Sequence, residues 1–237
     1  MVVLRVEDLV AGYGNLKVLF GANLEVRRRE IVAVVGPNGS GKSTLLKAIA
    51  GLATVFSGKI LFDGVDMTAI KPHDRARMGL AYLPQTDNVF SRLTVKENLI
   101  LAGYTVPKDE FEERLKAALE FLPRVRAVLH RKVWTLSGGE RQMVAIAMAV
   151  IRKPRLVMLD EPSASLAPKV AAQIFDKIVE LRDRLGLGVV LVEQNARKAL
   201  EISDKALLLV AGRPVFWGPS HELRGREDLL EVYLGVA

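Results

Sequence analysis

Hydrophobic positions along the chain follow two patterns, and each pattern predicts a different kind of strand. In the first thirty residues apolar and polar positions alternate, as at residues 3–7 and 22–26, which predicts two half-buried strands. Residues 12–15 between them predict a turn. Further along, the apolar runs are unbroken, which is typical of strands buried on both faces of a parallel sheet. These runs are residues 31–35, 156–159, 189–192 and 206–210.

Residues 86–152 have a different pattern. Apolar positions there recur at helical spacing, as at Phe111, Leu115 and Ala118, and strand-like runs are lacking. This stretch is therefore predicted to be a helical subdomain inserted into the rest of the chain.

Buried strands that alternate with helical stretches predict an α/β fold with a parallel sheet core, and the first two strands are expected to belong to an N-terminal antiparallel β subdomain. We expect one domain over residues 1–237, with a β-rich and α/β core formed by residues 1–85 and 153–237. Residues 222–233 predict one or two short helices that close the chain.

The amino-acid composition excludes several classes of protein and of active site. Half of the residues are hydrophobic and 26% are charged, which excludes a long disordered protein. The chain has no cysteine, so a disulfide scaffold, a cysteine zinc site, an iron–sulfur cluster and thiol catalysis are all excluded. The three histidines are far apart in sequence, which argues against a histidine metal site.

The chain is basic, with 34 Lys and Arg against 27 Asp and Glu, a net charge of +7 and a pI near 9.7. This excess suggests nucleic acid, a membrane surface or a phosphorylated ligand as partner, with a basic surface of no specific role as the alternative. No apolar stretch reaches the roughly 18 residues that span a bilayer. Arg5, Glu7 and Asp8 stand where a signal peptide needs an apolar core, so we expect a cytoplasmic protein.

A phosphate-binding motif follows the first buried run. Residues 36–43 match G-x-x-x-x-G-K-[ST] and open a predicted helix over 43–50, which Gly51 ends. The glycines let backbone N–H groups turn inward around phosphate oxygens, and the helix N-terminus adds a favourable dipole. Lys42 supplies a charge for the β- and γ-phosphates of ATP, and the Ser43 hydroxyl can bind Mg²⁺. The predicted nucleotide-binding residues are Gly36, Pro37, Asn38, Gly39, Ser40, Gly41, Lys42, Ser43 and Thr44.

Two carboxylates end the second buried run. Asp160 and Glu161 directly follow residues 156–159. A phosphate loop needs a metal-binding carboxylate at the end of a neighbouring strand, so Asp160 is predicted to hold Mg²⁺, through water, and Glu161 to polarise the attacking water.

Residues 136–142, Leu-Ser-Gly-Gly-Glu-Arg-Gln, identify the class, because they resemble the signature of ATP-binding-cassette (ABC) ATPases. Ser137 and Glu140 also form a predicted helix capping box, and a capped glycine-rich helix N-terminus is itself an anion site. The resemblance implies that Ser137, Gly138 and Gly139 bind the γ-phosphate of an ATP held on a second subunit. It therefore implies a head-to-tail dimer with two nucleotides at its interface.

The same resemblance covers essentially the whole chain and assigns three further residues. It implies that Tyr13 stacks on adenine and that Gln85 contacts Mg²⁺ and senses a membrane partner. Gln194 stands where most members of the family have a histidine that contacts the γ-phosphate. Glutamine can donate a hydrogen bond but cannot carry a proton, so we expect Gln194 to orient the phosphate. The implied catalytic residues are Glu161, Gln85 and Gln194, and the implied metal ligands are Ser43, Gln85 and Asp160.

Residues 161–163, 166–168 and 192–195, with the ending 233–235, resemble one ATPase subunit of branched-chain amino-acid importers. This implies a motor at the inner face of the cell membrane that is bound to permease subunits and acts indirectly for a solute-binding protein. It implies a second, different ATPase subunit, with a homodimer as the alternative. Importers of urea or amides, or other related transporters, stay open as alternatives because Gln85 stands where many subunits of the branched-chain type have glutamate. A lipopolysaccharide-extraction ATPase and a nucleic-acid-associated ABC ATPase are further alternatives, but the resemblance implies no nucleic-acid partner.

Overall fold

A computed structural model describes residues 1–234 of the chain. Its elements alternate between strands and helices over most of that length. The described strands are β1 (Val2–Tyr13), β2 (Leu16–Arg27), β3 (Ile31–Val35), β4 (Thr54–Phe62), β5 (Val65–Asp66), β6 (Leu80–Leu83), β7 (Leu156–Asp160), β8 (Gly188–Val192), β9 (Lys205–Val210) and β10 (Arg213–Pro219). The described helices are α1 (Lys42–Ala50), α2 (Pro72–Arg77), α3 (Val95–Ala102), α4 (Lys108–Phe121), α5 (Pro123–Ala127), α6 (Gly138–Ile151), α7 (Pro168–Asp183), α8 (Ala196–Ile202), α9 (Ser220–Arg224) and α10 (Glu227–Leu234).

The central sheet has the strand order β10-β9-β3-β8-β7-β6 in the described residues. Strands β9, β3, β8, β7 and β6 run parallel, while β10 pairs antiparallel with β9 at one edge. The predicted α/β fold with a parallel core is confirmed, and the edge strand makes the sheet mixed. Because β3 and β7 both neighbour β8, their carboxyl ends lie on either side of the carboxyl end of β8.

The predicted N-terminal antiparallel strands belong to a second sheet with the order β2-β1-β4-β5. Both predicted strands are longer than their alternating cores, and the turn between them is only Gly14 and Asn15. The predicted turn over residues 12–15 is thus too wide, because Gly12 still pairs with Lys17. A Cβ at Gly12 would lie 1.9 Å from the Leu16 carbonyl oxygen, so only glycine allows this close pairing.

The central sheet separates two hydrophobic cores, and β3 contributes to both. Val32 and Val34 pack with α1 and the antiparallel sheet, while Ile31, Ala33 and Val35 pack with the helices of the opposite face. Strand β3 is fully buried, as its unbroken apolar run predicts. Burying each Val or Ile side chain contributes about 1.5–3 kcal/mol to folding.

Helix α1 carries the phosphate loop and is fixed at both ends. It begins after Gly41, whose φ is 97°, and ends at Gly51, whose φ is 80°. It starts at Lys42, one residue earlier than predicted. The buried Arg75 guanidinium donates hydrogen bonds to the carbonyls of Ala48 and Ile49 at the last turn, both at 2.8 Å. Helix ends leave carbonyls short of donors, and these two bonds supply donors there in addition to the bond from the Gly51 N–H to Ala48 at 3.1 Å.

Residues 86–152 contain helices α3 to α6 and, in the described chain, no strand beyond an isolated bridge between Thr94 and Lys132. Helix α6 packs against α3, α4 and α5 and also against α7. The division of the chain into a core and a helical subdomain at 85/86 and 152/153 therefore stays a prediction.

The C-terminal region forms α9 and α10, which agrees with the expected short helices. Gly235, part of the ending used for the family resemblance, lies outside the described residues. Within residues 1–234, none of the helices combines the length and apolar character that a membrane crossing needs.

Candidate functional site

The Lys42 side chain, at the start of α1, bonds back to the first two residues of the phosphate loop. Its ammonium group donates hydrogen bonds to the carbonyls of Gly36 at 2.8 Å and Pro37 at 2.9 Å. Lys42 is only 5% exposed. Burial lowers the pKa of Lys42, and the nearby carboxylates of Glu161 and Asp160 oppose that shift. An ammonium has three donors, so one remains for an incoming phosphate oxygen.

The loop between β3 and α1 has the shape that an anion cradle needs. A Cβ at Gly36 would lie 2.1 Å from the Leu209 carbonyl oxygen, so a side chain is excluded there. Gly39 and Gly41 have φ values of 76° and 97°, which glycine adopts at no steric cost. The Ser40 hydroxyl is buried and has no hydrogen-bond partner in the described part of the chain. This free donor fits a bound phosphate.

Asp160 connects the end of β7 to the phosphate loop. It is 4% exposed, and its Oδ1 accepts a hydrogen bond from the Ser43 hydroxyl at 2.9 Å. Its Oδ2 accepts one from the Tyr82 hydroxyl at 3.1 Å. Burial, together with the neighbouring Asp160 charge, raises the pKa of Tyr82, so the phenol stays protonated as a donor. Two residues predicted to bind metal, Ser43 and Asp160, are therefore in direct contact.

Glu161 directly follows β7 and has a left-handed backbone with a φ of 48°. Its N–H donates to the Val192 carbonyl at 2.9 Å, which fixes the start of the following loop to β8. Its Oε2 accepts a hydrogen bond from Gln85 Nε2 at 2.9 Å. The structure thus joins two of the three predicted catalytic residues.

The signature segment begins α6, with Ser137 as N-cap. The Ser137 hydroxyl accepts from the Glu140 N–H at 3.3 Å, and Glu140 Oε2 accepts from the Ser137 N–H at 2.8 Å. These backbone and hydroxyl bonds lower the pKa of Glu140. The predicted capping box is present. Gly138 lines the same cleft of about 330 Å³ as Gln85 and Glu161, whereas Ser137 and Gly139 line a neighbouring pocket.

Gly139 allows α6 and α7 to approach closely. A Cβ there would lie 2.3 Å from Val170 Cγ1, while one at Gly138 would lie 2.8 Å from the flexible tip of Leu166. We expect Gly139→Ala to lower the free energy of unfolding by about 1–3 kcal/mol, as overpacking does. Gly138→Ala should cost less, and adding Val170→Ala should restore the loss in Gly139→Ala. Urea unfolding checks this, and equal costs at both glycines would contradict the steric explanation.

Tyr13 lies beside α1, whereas Gln194 lines a groove together with the loop after β7. The Tyr13 ring is 42% exposed, and its hydroxyl is 3.5 Å from Thr44 Oγ1 in α1. The Lys47 ammonium lies 5.8 Å from the centre of the same ring. Asn38 is exposed at the tip of the phosphate loop, and Gln194 is exposed at the start of the loop after β8.

The residues present fit a nucleotide with Mg²⁺. The loop offers Lys42, a free Ser40 hydroxyl and a helix N-terminus, which together suit phosphate oxygens. Ser43 and Asp160 offer the oxygen ligands that Mg²⁺ takes. In the described residues, no cluster of three or more His, Cys, Asp or Glu side chains provides a separate metal site.

A family model described as ABC transporter matches residues 19–164. The chain belongs to the ABC transporter ATP-binding family. Family membership confirms the resemblance inferred from the signature, and it makes the chain a nucleotide-binding ATPase.

Curated relatives of this ABC ATPase agree with the family. The chain is 54% identical over 99% of both chains to the "Probable branched-chain amino acid transport ATP-binding protein LivF" of Archaeoglobus fulgidus. It is 40% identical to the "High-affinity branched-chain amino acid transport ATP-binding protein BraG" of Pseudomonas aeruginosa, over 94% of this chain and 95% of that one. It is 36% identical to the "Lipopolysaccharide export system ATP-binding protein LptB" of Haemophilus influenzae, over 99% and 98%.

Solved structures confirm the fold. The ADP conformation of an ATP-binding cassette of an ABC transporter has a TM-score of 0.87 and 28% identity, and each chain covers 98% of the other. A nucleotide-free ATP-binding cassette has a TM-score of 0.86 and 28% identity over 96% of both chains.

Sequence reasoning missed two polar contacts of this ABC ATPase site. Tyr82 belongs to none of the motifs, yet its hydroxyl donates a hydrogen bond to Asp160. Glu193, next to Gln194, accepts a hydrogen bond from the Ser163 N–H. The signal available for Glu193 was a carboxylate directly after a fully buried strand.

Proposed function

We propose that the chain is the ATP-hydrolysing motor of an importer for branched-chain amino acids. The observation that carries the catalytic part is the hydrogen bond between the Ser43 hydroxyl and Asp160 Oδ1. It connects the phosphate loop and the acidic strand end, which together form a metal–phosphate site in P-loop ATPases.

In the proposed site the phosphate loop binds and orients ATP. Lys42 uses its remaining donor on the β- and γ-phosphates, while the loop N–H groups and the Ser40 hydroxyl hold the other oxygens. Tyr13 offers its exposed ring face to the adenine. Asn38, exposed at the tip of the loop, and Thr44, buried in the first turn of α1, complete the predicted binding set.

Glu161 is the proposed residue that polarises the attacking water. Gln85 holds Glu161 through its amide in this structure, so a shift of Gln85 would free the Glu161 oxygen for water. Ser43, Asp160 and Gln85 are the proposed ligands of Mg²⁺, which when bound neutralises charge that develops on the phosphates. Gln194 donates a hydrogen bond to the γ-phosphate but does not act as an acid or a base.

The N-terminus of α6 at Ser137, Gly138 and Gly139 is proposed to bind the γ-phosphate of ATP on a second ATPase subunit. The first N–H groups of a helix have no acceptor within the helix, and the dipole at this end of α6 favours such an anion. We propose a different ATPase as the second subunit, because the branched-chain importers that this chain resembles use two ATPase subunits, and the homodimer is the alternative.

The proposed solute rests on the relatives, since two of them are described as branched-chain amino acid transport proteins. Lipopolysaccharide export is the second candidate, favoured only by the 36% identity to LptB. Urea or amide import is the third, because Gln85 stands where many subunits of the branched-chain type have glutamate.

Membrane permease subunits are the proposed direct partners, and a solute-binding protein acts through them. The chain would then lie on the cytoplasmic side of the membrane as a peripheral subunit. Its net charge of +7 suits the anionic lipid surface there, and no nucleic-acid partner is needed to explain it.

The test is phosphate release by the chain in lipid vesicles with permease subunits and a second ATPase from the same importer. We expect hydrolysis to rise several-fold when leucine-loaded binding protein is added, but not with urea. Leucine should accumulate only when ATP is present. Equal hydrolysis with and without partners, or full coupled activity without a second ATPase, would contradict the importer and the heterodimer respectively.

A further inference from the structure

Glu193 is a buried carboxylate behind the proposed catalytic centre, and the family resemblance gives it no role. It directly follows β8 and is 2% exposed. Its Oε1 accepts a hydrogen bond from the Ser163 N–H at 3.0 Å. The Ser163 hydroxyl and the Asn195 N–H also interact with this carboxyl.

Burying this group is unfavourable. Loss of hydration raises the pKa of Glu193, and the nearby Glu161 carboxylate raises it further. The N–H and O–H donors around the carboxyl oppose this shift, because they stabilise the charged form and so lower the pKa of Glu193. A leucine of similar size would avoid this penalty, so the hydrogen bonds themselves are what a glutamate provides here.

The hydrogen bond from the Ser163 N–H to Glu193 joins the two loops that carry the proposed hydrolytic residues. Ser163 lies two residues after Glu161, and Glu193 directly precedes Gln194. Glu161 itself is bonded through its N–H to Val192, the residue before Glu193. The loop after β7 is thus attached to the end of β8 at two successive points.

We propose that Glu193 is a positioning residue for ATP hydrolysis, because its carboxyl oxygen holds the loop after β7 and so fixes the direction of the Glu161 side chain. The inference rests on the role proposed for Glu161. Glu193 acts through Glu161 and does not itself touch the substrate.

Backbone strain explains why a second attachment is needed. Glu161 has a φ of 48° and Ser165 one of 60°, and non-glycine residues in this region keep that conformation only when their surroundings fix it. With Ser163 released, the loop can relax and turn the Glu161 carboxylate away from the attacking water. A displacement of about 1 Å at a catalytic group can lower the rate by roughly 100-fold.

The test measures phosphate release with Mg·ATP by two Glu193 variants of the full chain, alone and with its transporter partners. Glu193→Ala removes the acceptor, and we expect kcat to fall by about 10- to 100-fold with KM within about twofold. Glu193→Gln keeps an acceptor oxygen for Ser163 without the charge, and it should recover at least about a third of the wild-type kcat.

The matched control is Glu30→Ala. Glu30 is also a buried carboxylate, 8% exposed, and accepts a backbone N–H bond, from Arg27 at 2.6 Å. It precedes β3, at the opposite end of the central sheet from Glu161. We expect Glu30→Ala to lower Tm without lowering kcat at 25 °C. If both alanine variants lose Tm and neither loses kcat, Glu193 is only structural and the inference is wrong.

A double variant tests whether Glu193 acts through Glu161. Glu161→Gln with Glu193→Ala should be no slower than Glu161→Gln alone, because two residues of one unit do not add. Multiplied losses, or a Glu193→Gln variant as slow as Glu193→Ala, would overturn the proposal. If Glu161→Gln alone leaves kcat unchanged, the role of Glu161 in the proposed function fails, whatever Glu193→Ala does.

Discussion

Glu161→Gln is expected to lower the maximal rate of ATP hydrolysis by about 100-fold or more, with ATP affinity changed by less than about threefold. Glutamine has nearly the same shape as glutamate but cannot accept a proton from water or carry negative charge. The backbone bond from Glu161 to Val192 does not involve the side chain, so the loop should keep its fold. The phosphate loop is also untouched, and ATP should still bind.

Stopped hydrolysis has a second consequence for this variant. If ATP holds two subunits together, Glu161→Gln with Mg·ATP should accumulate the closed dimer, which size-exclusion chromatography with light scattering detects. Monomers alone under these conditions, with and without the second ATPase, would count against the nucleotide-sandwich dimer.

The comparison for Glu161→Gln is Gln194→Ala. Gln194 is exposed and can offer a phosphate oxygen only a neutral amide hydrogen bond, so its loss should lower turnover by less than about tenfold. Phosphate release at saturating ATP measures both variants. Equal losses would refute the proposal that Glu161 dominates hydrolysis.

Lys42→Ala is expected to remove measurable hydrolysis, a loss of about 1000-fold or more, and to weaken ATP binding at least about tenfold. The ammonium group has two roles. It neutralises phosphate charge, and it donates to the carbonyls of Gly36 and Pro37, which keeps the loop closed. The variant loses both roles at once, whereas Glu161→Gln leaves binding intact.

Nucleotide binding to Lys42→Ala can be measured by calorimetry with Mg·ATP, and turnover by phosphate release. Lys116→Ala is the control, because Lys116 is an exposed lysine on α4, far from the loop in sequence. Lys116→Ala removes the same positive charge but changes no residue of the proposed site. Unchanged turnover in Lys42→Ala would refute the assignment of the phosphate loop.

The elements predicted correctly from the sequence are those marked by a pattern of neighbouring residues along the chain. Strands β3, β7, β8 and β9 appear as unbroken apolar runs because each is covered on both faces. Helix α1 is marked by its glycines, and α6 by its capping box. Burial on both faces, a tight turn and a helix cap each require particular residue types at neighbouring positions. Such residues can be recognised in the sequence before the fold is known.

The missed strands lack such a signal. Strand β6 has only four residues, and its Tyr82 carries a hydroxyl that bonds to Asp160. Strand β10 contains Pro214 and Pro219, which are typical of loops, and is tolerated because it lies at the sheet edge. Strand β4 is interrupted by Gly58. Its position in the antiparallel sheet follows from pairing with β1, which is distant in sequence.

The same distinction applies to the site. Residues 36–44, Asp160 and Glu161 are predictable because motifs place them on strand ends and a helix start. The contacts of Tyr82 with Asp160 and of Glu193 with Ser163 depend on strand order, since β7 lies between β6 and β8. Strand order is set by packing over the whole chain, so no local pattern contains it.

The hydrogen bonds from the Arg75 guanidinium to the last turn of α1 have a consequence for the thermodynamics of ATP binding. The guanidinium also donates to the carbonyls of Thr68 and Ile70, both at 2.7 Å, so the helix is anchored to the loop before α2. The helix cannot slide along its own axis, and the phosphate cradle at its other end is preorganised. ATP therefore orders little new backbone when it binds, and the entropy penalty of association should be small.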